Sequence, residues 1–372
     1  MNVPLLDLKA QHASIKDAVM ARVLEVVDSQ LFILGQPVLD LEARIAALAR
    51  VPYGVGVSSG TDALLLPLKA LDLKPGDEVI TAPFTFFASA GTIHNAGGRP
   101  VFADIDPLAY NIDPDAVEAA ITPRTRAIMP IHLFGQMAPM ERLLPIAEKH
   151  GLAVIEDACQ AIGARRKVQG QWRTAGELGR AGAFSFFPSK NLGGWGDGGM
   201  IVTPDEAMAD RVRRLRTHGG RQMYHHDEVG VNARLDALQA AVLLAKLPYL
   251  QQWSEARRAR AHWYNRDLAG VPAVRTPVTD TANEHIFHQY VIEAERRDEL
   301  QAHLKAAGIG TAVYYPVPLH LQPCFADLGY RRGQMPVSEA AAERVLALPV
   351  YPELTEAQQA AVTGAIRRFY GA

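Results

Sequence analysis

Apolar positions give the first picture of the chain. Ile15, Ala18, Val19, Val23, Val26 and Val27 recur at the three-to-four spacing of an amphipathic helix, and Val38, Leu41, Ile45 and Leu48 do so again after Gly35-Gln36-Pro37. A short apolar run at 53–57 reads as a buried strand. It ends in the small polar turn Ser58-Ser59-Gly60-Thr61-Asp62, and a helical run at 63–71 follows. The alternation continues with strands expected at 78–82, 100–105, 127–132 and 152–155, separated by helices that run through 95 and over 115–121 and 140–150. Strand and helix taking turns in this way predicts an α/β fold with a largely parallel central sheet flanked by helices. In such sheets ligands collect at the carboxyl ends of the strands.

Beyond this region the pattern predicts a strand at 198–203, an arginine-rich helix at 204–217 and a polar loop at 218–231. A helical stretch over 234–267 contains Pro248, which has no N–H to donate and clashes with the preceding turn, so a break is expected there. The chain divides accordingly into 1–247, an N-terminal segment and large α/β domain, and 248–372, a smaller α+β domain. In the second part Ile286, His288, Tyr290 and Ile292 alternate as in a half-buried strand over 285–294. Helices are expected at 297–307, 338–347 and 356–369, with an extended stretch at 310–315.

Composition narrows the class. Of the 372 residues 48 % are hydrophobic and 21 % charged, which is an ordinary globular balance with enough apolar mass for a core. Lys and Arg number 38 against 40 Asp and Glu, and a net charge of −2 argues against a nucleic-acid or membrane-surface binder. Cys159 and Cys324 provide no disulfide framework, and no apolar stretch approaches the roughly 20 residues that span a bilayer. Met1-Asn2-Val3-Pro4 does not open a signal peptide, so the expected location is the cytoplasm.

The chemistry centres on Phe184-Ser185-Phe186-Phe187-Pro188-Ser189-Lys190-Asn191-Leu192-Gly193-Gly194-Trp195-Gly196-Asp197-Gly198-Gly199. One lysine sits between a strand-like apolar run and a glycine-dense turn where backbone can pass close to a ligand. Burial lowers a lysine pKa, and a neutral amine at a strand end is a nucleophile toward an aldehyde. Upstream, a strand, small polar turn and helix leave free N–H groups and the positive end of a helix dipole near Gly60 to Ala63, a fitting seat for a phosphate. Tyr224, His225 and His226 raise the question of a metal, but no third ligand recurs at suitable spacing, so none is expected.

Together with Ile155-Glu156-Asp157-Ala158-Cys159-Gln160, Ser59-Gly60-Thr61-Asp62-Ala63-Leu64 and Gly230-Val231-Asn232-Ala233-Arg234-Leu235-Asp236, that run closely resembles the DegT/StrS family of nucleotide-sugar aminotransferases, which use pyridoxal phosphate (PLP). The resemblance keeps the family's order from Val3-Pro4-Leu5-Leu6-Asp7-Leu8 to Leu348-Pro349-Val350-Tyr351-Pro352. It implies a PLP-dependent transferase of fold type I in which Lys190 forms the Schiff base and Asp157 pairs with the ring nitrogen. It further implies that Gln160 bonds the phenolic oxygen, that Phe86 stacks on the ring, with Phe84 or Phe87 as alternatives, and that Gly60, Thr61 and Ser185 hold the phosphate. Asn232 matches the position that reaches the neighbouring subunit's cofactor, which implies a homodimer with shared sites.

The reaction so implied moves an amino group from an amino acid, glutamate by family habit, to a nucleotide-linked keto-sugar. The Phe-Phe-Pro-Ser-Lys-Asn-Leu-Gly spelling resembles members acting at C3. The alternatives are the same reaction at C4, a PLP-dependent dehydratase, in which histidine replaces the lysine, and a non-catalytic regulatory homologue. Two departures stand out: Gly179-Arg180-Ala181-Gly182, where relatives often carry aspartate, and Trp195, where they often carry tyrosine. Trp195, Tyr224, His225, Tyr315 and His320 are the candidates for gripping the substrate.

Overall fold

Two helices lead the chain, α1 (Leu8–Ser29) and α2 (Gln36–Leu48), and each starts where the sequence supplies a beginning. The Asp7 carboxylate accepts the N–H groups of Lys9 and Ala10, and Pro37 occupies the first turn of α2, where a missing N–H costs nothing. The computed structural model describes residues 2–372; Met1, the first residue of the expected 1–247 domain, lies outside the described residues. Strand and helix then alternate: β1 (Tyr53–Val57), α3 (Gly60–Ala70), β2 (Glu78–Thr81), α4 (Ala88–Asn95), β3 (Arg99–Phe102), α5 (Pro114–Ala119), β4 (Thr125–Met129), α6 (Met140–His150) and β5 (Ala153–Asp157). A hairpin of β6 (Arg165–Val168) and β7 (Gln171–Thr174) precedes β8 (Ala181–Ser185), β9 (Gly199–Thr203), α7 (Glu206–Leu215) and α8 (Ala237–Lys246).

Seven strands form the central sheet in the order β1-β9-β8-β5-β4-β2-β3. Every pairing is parallel except the two made by β9, so the expected largely parallel α/β sheet is what forms. β4, β5, β8 and β9 carry fully buried side chains such as Ile128, Ile155, Phe184 and Ile201, as expected for strands covered on both faces. Because β1, β2, β4, β5 and β8 share one direction, the segments that follow them meet at one edge of the sheet.

The helix breaks at Pro248: Leu247–Tyr249 is a single 3₁₀ turn between α8 and α9 (Leu250–Leu268). After it come β10 (Val274–Arg275), β11 (Asn283–Glu284), β12 (Tyr290–Ala294), α10 (Arg297–Ala306), α11 (Pro336–Arg344), β13 (Val345–Leu348) and α12 (Glu356–Tyr370). Two expectations are corrected here. The strand expected over 285–294 is only the five residues of β12, the middle strand of a β10-β12-β13 sheet; its side chains are buried almost throughout rather than in alternation. The helix expected over 338–347 stops at Arg344, and Val345-Leu346-Ala347-Leu348 becomes a strand paired with β12.

The two halves are joined at points remote in sequence. β11 pairs with β6, and Val3 pairs with Ile309 and lies fully buried in a core with Tyr264, Tyr290 and Leu346. Val3 therefore packs with the C-terminal part of the chain. Among the described residues no helix is long and apolar enough to cross a membrane.

Candidate active site

Strand ends bring the central residues together. Asp157 closes β5 and Ser185 closes β8, its sheet neighbour, with Asp157 opposite Ala183 in register. Across β9, Val57 and Ser185 both face Gly199, which places the turn after β1 beside the end of β8. Contact there is close: a Cβ built on Gly60 would lie 2.6 Å from the Ser185 Cβ and 3.2 Å from the Cys159 Sγ. Only glycine fits at that position.

Gly60 opens α3, whose N-cap is Ser59; the Ser59 Oγ accepts the Asp62 N–H at 3.1 Å, and the Ala63 N–H reaches the Ser59 carbonyl. The N–H groups of Gly60 and Thr61 precede the first carbonyl a helix can offer, so they point out of its positive end. Thr61 is exposed, and Ser185 sits at the same mouth with its hydroxyl accepting the Phe187 N–H at 3.3 Å.

Asp157 is buried, and its two carboxylate oxygens have different partners. Oδ2 accepts the Ser89 hydroxyl at 2.7 Å, and Oδ1 accepts the Cys159 N–H at 3.2 Å. Ser89 itself is 3.2 Å from the Thr85 hydroxyl, so α4 supports the carboxylate from below. Neighbouring Glu156 points to the other face, where it accepts N–H groups from Gly176, Leu178 and Gly179 and lies 2.8 Å from His132 Nε2. Burial would push its pKa up, but the His132 bond and the backbone donors outweigh that and hold it below the usual carboxylate range. His132 Nδ1 accepts the Ala138 N–H, so its proton sits on Nε2, facing Glu156.

Lys190 is half-buried in the turn after β8, its N–H bonded to the Phe187 carbonyl. Burial drives its pKa down, opposed by the charge of Asp157. The amine is thus biased toward its neutral form within electrostatic reach of a buried carboxylate. Cys159 is raised by burial and by Asp157, which keeps the thiol protonated. His288, across the turn, is held neutral by burial and then by Lys190 and Arg257, and lies 3.1 Å from the Asn191 Oδ1.

Of the three phenylalanines after β2, Phe84 is fully buried among Tyr110, Phe134 and Tyr315, and Phe87 stacks on Phe325. Phe86 is 58 % exposed and is the ring left free to cover something flat. Gln160 is buried; its Oε1 accepts the Phe134 N–H at 2.8 Å and its Nε2 donates to the Tyr315 hydroxyl at 2.8 Å. Tyr315, whose pKa burial raises, therefore belongs to this cluster.

Other expected residues lie elsewhere. His320 is 2 % exposed, bonded at 3.0 Å to Glu339 and packed against Phe102 and Tyr330. Trp195 packs edge-on against His12 of α1 at 5.4 Å. Tyr224, 83 % exposed, and exposed His225 ride the outer loop after α7. Asn232 is exposed too, bridged to Thr217 in a segment where the Ala233 carbonyl accepts the Ser58 N–H at 3.1 Å. Ser89, Cys159 and Asn191 were not read as site residues from sequence; Ser89 offered a signal, lying one helical turn beyond Thr85 in the aromatic run.

A reactive amine, a buried carboxylate, an open aromatic face and a helix N-terminus, all at adjoining strand ends, fit a flat heteroaromatic ring with a cationic nitrogen, an aldehyde and a phosphate arm. The sequence model of the DegT/DnrJ/EryC1/StrS aminotransferase family matches residues 13–367. The chain belongs to this family. Among relatives of this aminotransferase are a protein of Geobacillus stearothermophilus named pleiotropic regulatory protein, 53 % identical over 372 residues, 100 % of this chain and 99 % of the relative. A second, from Acidithiobacillus ferrooxidans, is named UDP-N-acetyl-3-dehydro-alpha-D-glucosamine 3-aminotransferase and is 46 % identical, covering 98 % and 97 % of the two chains. The crystal structure of S. venezuelae DesV in complex with a ketimine intermediate superposes with a TM-score of 0.96 at 43 % identity, covering 100 % of this chain and 99 % of that one.

Proposed function

We propose that this aminotransferase uses pyridoxal phosphate to move an amino group from an amino acid, L-glutamate in our reading, to C3 of a nucleotide-linked keto-sugar. The observation that carries the reading is Lys190, in the turn after β8 and pushed by burial toward the neutral amine, within electrostatic reach of buried Asp157 at the end of the adjacent strand β5. When bound, the cofactor supplies an aldehyde that takes up amines and a protonated ring that draws electrons from the reacting carbon. The Lys190 Nζ would hold the aldehyde at rest and, once displaced, carry the proton between the two carbons that exchange it. Asp157, already supported by Ser89 and Cys159, would keep the ring nitrogen's proton in place. Gly60 and Thr61 N–H groups with the Thr61 and Ser185 hydroxyls would hold the phosphate, Phe86 would cover one ring face, and Gln160 would turn its amide toward the ring oxygen.

Asn232 faces solvent on a single chain, and we assign it to the phosphate of a second copy's site, which makes the working unit a homodimer. Trp195, Tyr224, His225, Tyr315 and His320 are retained as substrate-side candidates. A cytoplasmic location belongs to the same proposal and is supported by the balanced charge and the small number of cysteines.

The C3 assignment is supported by the sequence around Lys190 and by the printed activity of the Acidithiobacillus relative. Amination of UDP- and dTDP-linked 3-keto and 4-keto sugars tests it; turnover of 4-keto substrates alone would reject C3. Purified protein should be yellow, and Lys190→Ala should abolish both the colour and turnover. The name of the Geobacillus relative favours a regulatory role as the second reading. A complete set of Lys190, Asp157, Gln160, Thr61, Ser185 and Asn232 speaks for turnover, and a colourless parent protein that ignores added cofactor would favour regulation.

A further inference from the structure

The turn that carries Lys190 is gripped from behind by one helix. Within the turn, the Gly194 N–H bonds the Phe186 carbonyl and the Phe186 N–H bonds the Gly198 carbonyl. The Gly193 carbonyl points outward and accepts the ammonium of Lys246 at 2.7 Å. Seven residues earlier on the same face of α8, the Gln239 Oε1 accepts the Trp195 N–H at 2.8 Å and presses on Gly194, where a Cβ would come within 2.8 Å of it. α8 is itself held: Val242 and Ala245 pack with Ile15, Val19 and Trp253, and Ala237 and Ala241 with Val26.

Lys246 is an unusual choice for such a place. It is 4 % exposed, and no carboxylate pairs with it among the described residues. Burying a cation against nothing but a carbonyl is costly, and a methionine of similar reach would fill the slot without that cost. What the ammonium provides and a methionine does not is a directed, charge-assisted bond to the backbone three residues after Lys190.

We infer that Lys246, seconded by Gln239, is a positioning residue that fixes where the Lys190 amine stands relative to Asp157. The inference rests on the reading of Lys190 as the reacting amine, and one arm of its test does not need that reading. Full-length Lys246→Met, Lys246→Arg and Gln239→Leu proteins are compared with the parent. In cofactor-free protein, amide hydrogen exchange over 190–195 should rise about tenfold in Lys246→Met and Gln239→Leu, with β5 and α3 unchanged. In loaded enzyme kcat should fall by roughly tenfold or more at a sugar KM within about twofold of the parent, since misplacement of a reacting group weakens the chemical step rather than binding. Lys246→Arg, which keeps the cation, should recover part of both effects.

Unchanged exchange in both truncating variants overturns the clamp, and faster exchange with unchanged kcat overturns its role in positioning. Should Lys246→Met not fold, Gln239→Leu decides on the same two readouts. A parent inactive on every keto-sugar tested would count against the functional reading, while the exchange comparison would still decide the clamp.

Discussion

In the proposed reaction Asp157 is the residue on which the chemistry would turn, because a buried carboxylate already supported by the Ser89 hydroxyl and the Cys159 N–H has an oriented negative charge to offer a ring nitrogen. Asp157→Asn should keep the fold and lose kcat by about 10² to 10³, the scale of removing one preorganised electrostatic partner, measured by steady-state kinetics beside a circular dichroism control. Gly60→Ala should lower stability by about 1–3 kcal/mol in urea unfolding, since its methyl would overlap Ser185. Residues of this kind stand out as candidates in the sequence because their setting is singular: one lysine before a glycine turn, one aspartate closing an apolar strand. For His320 the sequence did not show the buried partner: an imidazole beside prolines reads the same with or without the bond it makes to Glu339. Ser89 was missed because serine is common and only the fold shows that it meets Asp157, and Cys159 because it meets Asp157 through a backbone N–H that any residue would carry.

Among the elements, α8 makes its own prediction through Lys246, whose pKa burial pulls down from 10.5 to about 8. Between those values the unfolded chain binds more protons than the folded one, so this group's contribution to stability rises as pH rises from about 8 to 10.5 and falls away again on acidification. Lys246→Met should therefore match or exceed the parent's stability at pH 7, by roughly 2 kcal/mol, with the gap closing toward pH 10.5 in urea titrations. A parent and variant whose difference is independent of pH would show that Lys246 is not buried as a cation. Strand and helix alternation through β5 was legible because parallel strands covered on both faces are short apolar runs between helices. β13 was not, since Val345-Leu346-Ala347-Leu348 follows an alanine-rich helix without a break in apolar spacing, and its partner β12 lies more than fifty residues back in the chain.

For the whole molecule, the exposed Asn232 sets a test that no single-chain argument can replace. If each site borrows that residue from a second copy, Lys190→Ala and Asn232→Ala proteins, each weak alone, should regain about a quarter of parental activity when unfolded, mixed and refolded together, because half of the resulting dimers hold one intact site. Sedimentation should find the parent dimeric, and a fully active monomer would remove the shared site. The helix break at Pro248 was readable from one proline, whereas the ties of β11 to β6 and of Val3 to Ile309 were not, as neither segment carries a hydrophobic period long enough to announce a partner. Those two stitches restrict how the enzyme can breathe. A jaw-like swing of the C-terminal part would break both the β11–β6 pairing and the Val3–Ile309 bridge, so small-angle scattering should give one radius of gyration for the empty and the saturated enzyme.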